Sequence, residues 1–164
     1  MKSAEERLKD LLSKNGLSVA TAESCTGGLL SHRITSVSGS STYYLGSVVS
    51  YANSVKTGVL GVDAKVLEIE GPVCSKVAGM MAEGVRKVIG TTYSVSTTGL
   101  AEGSDEFGNP EGTVWIGVSG PHGTSTIRFN SDSGERKKNI ERFADAALDA
   151  LVSYIEKDST CISE

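Results

Sequence analysis

The sequence predicts an α/β protein in which a single mixed sheet carries helices on both faces. Segments with the period of strands alternate with segments with the period of helices as far as residue 99, which is typical of crossover connections. Two further strand-like segments, residues 113–119 (TVWIGVS) and 124–130 (TSTIRFN), are joined by a short Gly-Pro-His-Gly turn and predict an antiparallel hairpin. Crossovers combined with a hairpin favour a mixed sheet.

The helices are predicted from apolar residues that recur at helical spacing. The first helix begins at a capping box, Ser3-Ala4-Glu5-Glu6, and stops at Asn15-Gly16. The last helix has the longest apolar stripe, over residues 140–155, and we expect the tail after Lys157 to be frayed. The same reasoning predicts helices over residues 29–37, 54–60, 64–70 and 77–88, and strands over residues 17–22, 44–52 and 92–97.

The overall composition restricts the classes of function. A chain of 164 residues suits a single domain, which we place at residues 1–157 with a tail at residues 158–164. The net charge is −4, and acids flank the one basic cluster, Arg136-Lys137-Lys138, which argues against nucleic acid as a partner. No apolar stretch approaches the ~20 residues that span a bilayer, so we expect no membrane association.

Cysteine and histidine are sparse. The three cysteines and two histidines lie far apart in the sequence, without a Cys-x-x-Cys pair, so a zinc site is not expected. An odd and sparse set of cysteines suits the reducing cytoplasm, which is where we expect the protein to act.

A polar segment with two glycines, Glu23-Ser24-Cys25-Thr26-Gly27-Gly28, stands where the first strand turns into a helix. A serine hydroxyl in such a turn is exposed, and the backbone amides that follow can hold a phosphate or a developing oxyanion. The same residues can instead serve the fold, with Ser24 or Thr26 capping the helix. Cys25 could be a nucleophile, but neither histidine is well placed as its base, and a small buried side chain explains it better.

A serine nucleophile without a histidine needs another base, and lysine can serve if burial lowers its pKa. Lys56 follows the end of a strand, and the nearby Tyr51 could relay a proton or hold the lysine in place. Thr98 could orient an amide or a carbonyl, and Arg136 could bind a phosphate. Each also has an ordinary explanation, because most lysines and arginines are solvated charges and hydroxyls are common at strand ends.

Taken together, these segments resemble one protein family. The chain is similar to the C-terminal domain of the competence/damage-inducible CinA proteins in five segments, which are TAESCTGG (21–28), SYANSVKTGVLGV (50–62), STTGLAEG (96–103), GTVWIGV (112–118) and GERKK (134–138). That module also occurs alone, as nicotinamide-nucleotide amidase (nicotinamide mononucleotide deamidase). The resemblance runs from about residue 4 to residue 155, and the Glu-Ser-Cys-Thr-Gly-Gly hexapeptide is its most specific part.

The resemblance implies a three-layer α/β/α sandwich and a metal-free amidohydrolase without a cofactor. Its small-molecule substrate would be nicotinamide mononucleotide, deamidated to nicotinic acid mononucleotide and ammonia in pyridine nucleotide salvage. The family's serine nucleophile falls on Ser24, its lysine on Lys56 and its tyrosine on Tyr51. Substrate binding is expected from Thr26, Gly27, Gly28, Thr98, Gly99 and Arg136.

Departures from the family pattern bear on the choice of substrate. Glu102 stands where the family usually has a glycine, and Asn109 where it has a lysine. An acidic loop therefore lies beside the expected phosphate site, where each like charge would repel a phosphate by ~1 kcal/mol at ~4 Å in water. This loop contains Glu102, Asp105, Glu106 and Glu111.

Three alternative functions stay open at this point. The domain could be an amidase with a different substrate, a catalytically silent module that binds or senses a nucleotide, or an interaction domain whose last helix pairs with a partner chain. The apolar stripe of that helix is also what packing on a sheet requires. The sequence leaves association into a homodimer or a larger oligomer open.

Overall fold

The computed structural model describes residues 1–161, with side chains up to residue 159. Over that range it has helices on both faces of one sheet and a 3₁₀ turn at Ser40–Thr42. The helices are α1 (Ala4–Ser13), α2 (Leu29–Thr35), α3 (Asn53–Gly58), α4 (Ala64–Glu70), α5 (Ser75–Ile89) and α6 (Arg136–Cys161). The strands are β1 (Val19–Glu23), β2 (Tyr44–Val49), β3 (Tyr93–Gly99), β4 (Thr113–Gly120) and β5 (Gly123–Asn130).

The strands form one mixed sheet in the order β2-β1-β3-β4-β5. β1 pairs in parallel with β2 and β3, whereas β4 is antiparallel to both β3 and β5. The predicted mixed sheet with a C-terminal hairpin is therefore confirmed. At its last residue β1 places Glu23 beside Val49 of β2 and Thr97 of β3, so three strand ends meet at one edge of the sheet.

The sheet separates two hydrophobic cores. On one face α1, α2 and α6 bury side chains such as Leu8, Leu30 and Phe143. On the other face α4 and α5 bury side chains such as Leu67 and Met81. The three-layer α/β/α sandwich is confirmed, and the stripe of α6 is buried in the domain's own core. Within residues 1–161 none of the helices combines the length and apolar character that a membrane crossing requires.

Alternation along β1 decides which side chains face the site. Val19 packs into the core under α6, whereas Ala20 and Ala22 pack into the core under α5. Thr21 points the same way as Val19, and its hydroxyl lies 2.9 Å from that of Ser31 in α2. Because side chains alternate, the next residue on the α2 side is the one at position 23.

The last helix is longer than the sequence predicts. It continues past Lys157, where we expect a frayed tail, as far as Cys161. Asp158 accounts for the added length, because its buried carboxylate accepts a hydrogen bond from the Tyr93 hydroxyl at 2.6 Å and lies 2.8 Å from Nδ1 of His122. The final three residues of the predicted tail lie outside the described part of the chain.

Two glycines of α5 differ in the space around them, so replacing each by alanine distinguishes the effect of packing on stability from the effect of helix propensity. A Cβ added at Gly84 would overlap the Leu60 carbonyl oxygen, whereas at Gly79 it would lie 3.5 Å from a Thr126 methyl carbon, an ordinary contact. Gly84→Ala should therefore lower the free energy of unfolding by about 1–3 kcal/mol through overpacking. Gly79→Ala should leave it unchanged or raise it by up to about 1 kcal/mol, because alanine favours the helix. Urea unfolding of both variants measures this, and equal stabilities would contradict the close packing at Gly84.

Candidate active site

A pocket of about 230 Å³ opens where β1 and β3 end, beside the N-terminus of α6. Six of the nine residues that the sequence predicts for the site line this pocket, namely Ser24, Tyr51, Lys56, Thr98, Gly99 and Arg136. The other three, Thr26, Gly27 and Gly28, lie in the turn behind it. A larger cavity of about 730 Å³ between β4, β5 and α6 contains none of the predicted residues.

The carboxylate of Glu23 holds the turn between β1 and α2. The side chain is fully buried, and it accepts five hydrogen bonds. Three come from the backbone amides of Gly28 at 3.2 Å, Leu30 at 2.9 Å and Ser31 at 3.1 Å. Two come from the hydroxyls of Thr26, at 2.6 Å, and Ser31. These amides start α2, where N–H groups lack helical partners and carry partial positive charge, so the carboxylate caps the helix.

The remaining residues of the turn shape the backbone. Gly27 and Gly28 have φ angles of 55° and 104°, in the left-handed region that glycine adopts without strain. The Thr26 hydroxyl, buried between Glu23 and Thr97, also lies 2.8 Å from the Thr97 hydroxyl. Neither Ser24 nor Thr26 caps α2, since Glu23 does so. Thr26, Gly27 and Gly28 thus lie outside the pocket lining, and their predicted contact with substrate stays a prediction.

Ser24 and Lys56 meet at the inner end of the pocket. The Lys56 Nζ atom lies 3.2 Å from Ser24 Oγ, although the two residues come from separate segments. Lys56 is only 1% exposed and Ser24 is 8% exposed. The same Nζ atom donates to the backbone carbonyl oxygens of Ser50 at 2.8 Å and Tyr51 at 3.3 Å. Serine and lysine are therefore held in hydrogen-bonding contact away from water.

The surroundings of Lys56 favour its neutral form. Burial lowers the pKa of Lys56 below its ordinary value, and no carboxylate of the described residues forms an ion pair with it. A neutral amine has two N–H bonds and one lone pair. The carbonyls of Ser50 and Tyr51 can accept the two N–H bonds, which leaves the lone pair for the hydroxyl hydrogen of Ser24. The geometry therefore suits lysine as the base that activates serine.

Cys25 has the environment of a structural cysteine. It is half-buried and packs against the core under α6. Burial raises the pKa of the Cys25 thiol to about 12, so the reactive thiolate is scarce at neutral pH. His122 is bonded to Asp158 at the opposite end of the sheet, by the β4–β5 hairpin. These observations support the interpretation of Cys25 as a small buried side chain.

Two backbone amides beside Ser24 are available for an oxyanion. The Ser24 amide donates to the Thr97 carbonyl, and the Gly27 amide donates to the Ser24 carbonyl, each at 3.1 Å. In contrast, the amides of Cys25 and Thr26 donate to no oxygen atom within the described range of residues. N–H groups directly after a nucleophile are suited to stabilise negative charge on a carbonyl oxygen, and of these two residues Cys25 lines the pocket whereas Thr26 does not.

Tyr51 and Arg136 form the mouth of the pocket. Arg136 is the first residue of α6, and its Nη2 atom lies 3.4 Å from the Tyr51 hydroxyl. Tyr51 contacts Lys56 through its backbone carbonyl, whereas its side chain is exposed. This arrangement favours a binding role for the Tyr51 hydroxyl over the predicted relay of a proton.

Thr98 and Gly99 form the wall that β3 contributes. The Thr98 hydroxyl donates to the Pro72 carbonyl at 2.7 Å, so its oxygen remains free to accept a hydrogen bond from a ligand. A Cβ at Gly99 would lie 2.5 Å from the Thr113 carbonyl oxygen, so β4 packs too closely for a side chain there. The wall next to Ser24 is therefore narrow and mostly backbone.

One acid of the loop between β3 and β4 reaches the pocket. Glu102 lines it, with Oε2 3.7 Å from Nη1 of Arg136. Asp105 instead accepts hydrogen bonds from the amides of Phe107 and Asn109 inside the loop. Glu106 and Glu111 are exposed and do not line the pocket. The predicted acidic loop thus places a single carboxylate beside the expected phosphate site.

Sequence reasoning misses two contributors to the site. The alternation of β1 contains a signal for Glu23, because it puts position 23 on the face that α2 covers. The Ser50 carbonyl that holds Lys56 has no such signal, because every residue carries the same backbone group.

Comparison with known proteins identifies the family. Residues 1–155 match the family described as the CinA C-terminal domain. A CinA-like protein of Salinibacter ruber is 49% identical over 148 residues, and one of Chlorobium limicola is 42% identical over 158 residues. These matches cover 88% and 93% of this chain but 35% and 37% of the relatives, so the chain spans about a third of their length.

Solved structures agree with this result. A competence-damaged protein (CinA) superfamily protein from Escherichia coli has a TM-score of 0.85 at 27% identity, covering 88% of this chain and 84% of that one. Another from Klebsiella pneumoniae has a TM-score of 0.88 at 26% identity, covering 95% and 99%. Fold and site define a three-layer α/β/α domain with a buried lysine against a serine at the strand ends. The chain belongs to the CinA C-terminal domain family.

Replacing Lys56 should reveal the cost of burying its charge. Because the pKa of Lys56 is lowered on folding, the unfolded chain binds more protons between that pKa and about 10.4, the value for an exposed lysine. The free energy of unfolding of the parent therefore rises with pH across this window. Lys56→Met removes this pH dependence, so the melting temperature of the variant relative to the parent should fall from pH 7 to pH 10. Melting curves at both pH values test this, and the same trend in Lys65→Met, an exposed control, would contradict it.

Removing the charge of Glu23 should loosen the whole turn. Glu23→Gln keeps the shape but turns an NH₂ group towards the amides and hydroxyls that now donate to the carboxylate. We expect the free energy of unfolding to fall by about 2–3 kcal/mol. Glu70→Gln, which removes an exposed pair with Lys76, should cost less than about 1 kcal/mol. Urea unfolding followed by circular dichroism compares the two variants, and equal losses would refute the capping role.

Proposed function

We propose that this domain is a metal-free amidohydrolase that converts nicotinamide mononucleotide to nicotinic acid mononucleotide and ammonia. The strongest support is the contact of 3.2 Å between Lys56 Nζ and Ser24 Oγ, at a site where burial lowers the pKa of the lysine. The choice of substrate rests on the family resemblance, and the reaction would serve pyridine nucleotide salvage in the cytoplasm. Because the relatives are longer, the proposal concerns this domain alone.

In the first step Ser24 Oγ attacks the carboxamide carbon of the nicotinamide. As the new C–O bond forms, Lys56 takes the hydroxyl proton onto its lone pair, and the carbonyl π electrons move to the oxygen. The amide of Cys25, a residue that lines the pocket, would donate to this oxyanion. The tetrahedral intermediate is thus balanced by a lysine ammonium that its two carbonyl partners continue to hold.

In the second step the intermediate collapses and the C–N bond breaks. Lys56 returns its proton to the departing nitrogen, which leaves as ammonia, and an ester remains on Ser24. Water then attacks that ester while Lys56 again accepts the proton, and the released serine recovers it. One water is consumed for each amide, and the products are the acid and ammonia.

The walls of the pocket would position the nucleotide. A volume of about 230 Å³ has room for a nicotinamide ring and its ribose, with the phosphate at the mouth beside Arg136. Thr98 can accept a hydrogen bond from the carboxamide nitrogen or a ribose hydroxyl. Tyr51, in contact with Arg136, would close the mouth over the bound ligand.

One observation favours a second candidate, a catalytically silent module that binds a nucleotide. Glu102 is paired with Arg136, the group expected to hold the phosphate. A silent module would bind the nucleotide and release no ammonia.

Ammonia release from nicotinamide mononucleotide by the purified protein tests the proposal. We expect turnover by the parent, and a loss of several orders of magnitude in Ser24→Ala and Lys56→Ala because nucleophile and base act as a unit. Lys65→Ala, in which an exposed lysine is removed, should match the parent.

Other outcomes of the ammonia-release experiment would contradict the proposal in different ways. If Ser24→Ala keeps pace with the parent, the nucleophile is wrong and Cys25 is the next to replace. An inert parent whose melting temperature rises with the nucleotide would be the silent module. An inert parent that does not bind the nucleotide would exclude this substrate.

A further inference from the structure

The mouth of the pocket offers a phosphate almost no net positive charge. Three of the side chains that line the pocket are lysine, glutamate or arginine, namely Lys56, Glu102 and Arg136. Lys56 is buried at the inner end of the pocket, away from the mouth. At the mouth, Glu102 and Arg136 form an ion pair whose charges cancel. A phosphate at the mouth therefore meets a pair of side chains with no net charge.

The guanidinium of Arg136 is also engaged on both terminal nitrogens. Nη1 faces Glu102 at 3.7 Å, and Nη2 faces the Tyr51 hydroxyl at 3.4 Å. Arginine binds phosphate most strongly through two parallel N–H bonds, and one of the pairs that can form them consists of Nη1 and Nη2. A phosphate that binds through this pair takes the place of the Glu102 carboxylate beside Nη1.

We propose that Glu102 is a specificity-determining residue that competes with the substrate phosphate for Arg136. The competition shifts the site towards carboxamide nucleosides, in which the nicotinamide ring is joined to a ribose without phosphate. This inference rests on the proposed amidase function, and it deepens that function by naming the residue that sets the balance between nucleotide and nucleoside substrates.

The expected size of the effect follows from the charges. Two unit charges about 4 Å apart in water interact strongly enough to change an equilibrium constant about fivefold. A phosphate carries between one and two charges near pH 7, so removing one carboxylate should change its binding about tenfold. Glu102 and Arg136 are both largely exposed, which keeps the effect in the range for water.

Steady-state ammonia release by Glu102→Gln and Glu106→Gln tests the inference. Both changes remove one negative charge from the same loop, but Glu106 does not line the pocket. We expect Glu102→Gln to raise kcat/KM for nicotinamide mononucleotide about tenfold, mainly through KM, and to change kcat/KM for nicotinamide riboside less than twofold. Glu106→Gln should change both less than twofold. An equal gain on the two substrates, or a gain of the same size in Glu106→Gln, would overturn the proposal.

The binding of ribose 5-phosphate tests the competition at Arg136 without requiring amidase activity, so it distinguishes failure of this inference from failure of the proposed function. The measurement is isothermal titration calorimetry on Ser24→Ala protein, alone and combined with Glu102→Gln or Glu106→Gln. If the parent releases no ammonia from either substrate, the amidase function fails. The competition at Arg136 still stands if Glu102→Gln binds the probe about tenfold more tightly. Affinity that is the same, or undetectable, in all three proteins would overturn it.

Discussion

The burial of the Glu23 carboxylate is the constraint on which the site depends. A charge removed from water is unfavourable unless hydrogen bonds or opposite charge replace the solvent. The amides that start α2 and two hydroxyls provide that replacement, and they can do so only if the turn adopts one backbone path. That path also fixes the positions of the Ser24 side chain and of the backbone amides of Cys25 and Thr26, which follow Glu23 in the same turn.

Lys56 is also buried, but its surroundings differ from those of Glu23. No carboxylate among the described residues forms an ion pair with Lys56, burial lowers its pKa, and its Nζ atom donates to the carbonyls of Ser50 and Tyr51. Glu23 cannot neutralise it, because five donors already occupy that carboxylate on the α2 side of the sheet. The two buried side chains therefore lie in different surroundings, Glu23 among five hydrogen-bond donors and Lys56 among carbonyl and hydroxyl oxygens.

Much of the fold could be predicted, because apolar periodicity reports directly on burial and the hairpin has a clear turn signal. The family resemblance predicts the pairing of Ser24 with Lys56, whereas spacing alone leaves a capping serine and a surface lysine as alternatives. The contact between Glu102 and Arg136 and the continuation of α6 beyond Lys157 could not be predicted. Both depend on residues that are distant in sequence and meet only in the folded chain.

Because neighbouring residues have different functions in this turn, one of them can be substituted without loss of the structure that the other supports. Glu23 supports the turn, whereas Ser24 is the nucleophile of the proposed reaction, so the two functions belong to separate side chains at one strand end. A substitution at position 24 can abolish turnover while the pocket, built by its neighbour, keeps its shape. Under the proposed mechanism, a single substitution at position 24 would convert such an enzyme into a receptor for the same ligand, and other side chains could be tested at that position without a change of fold.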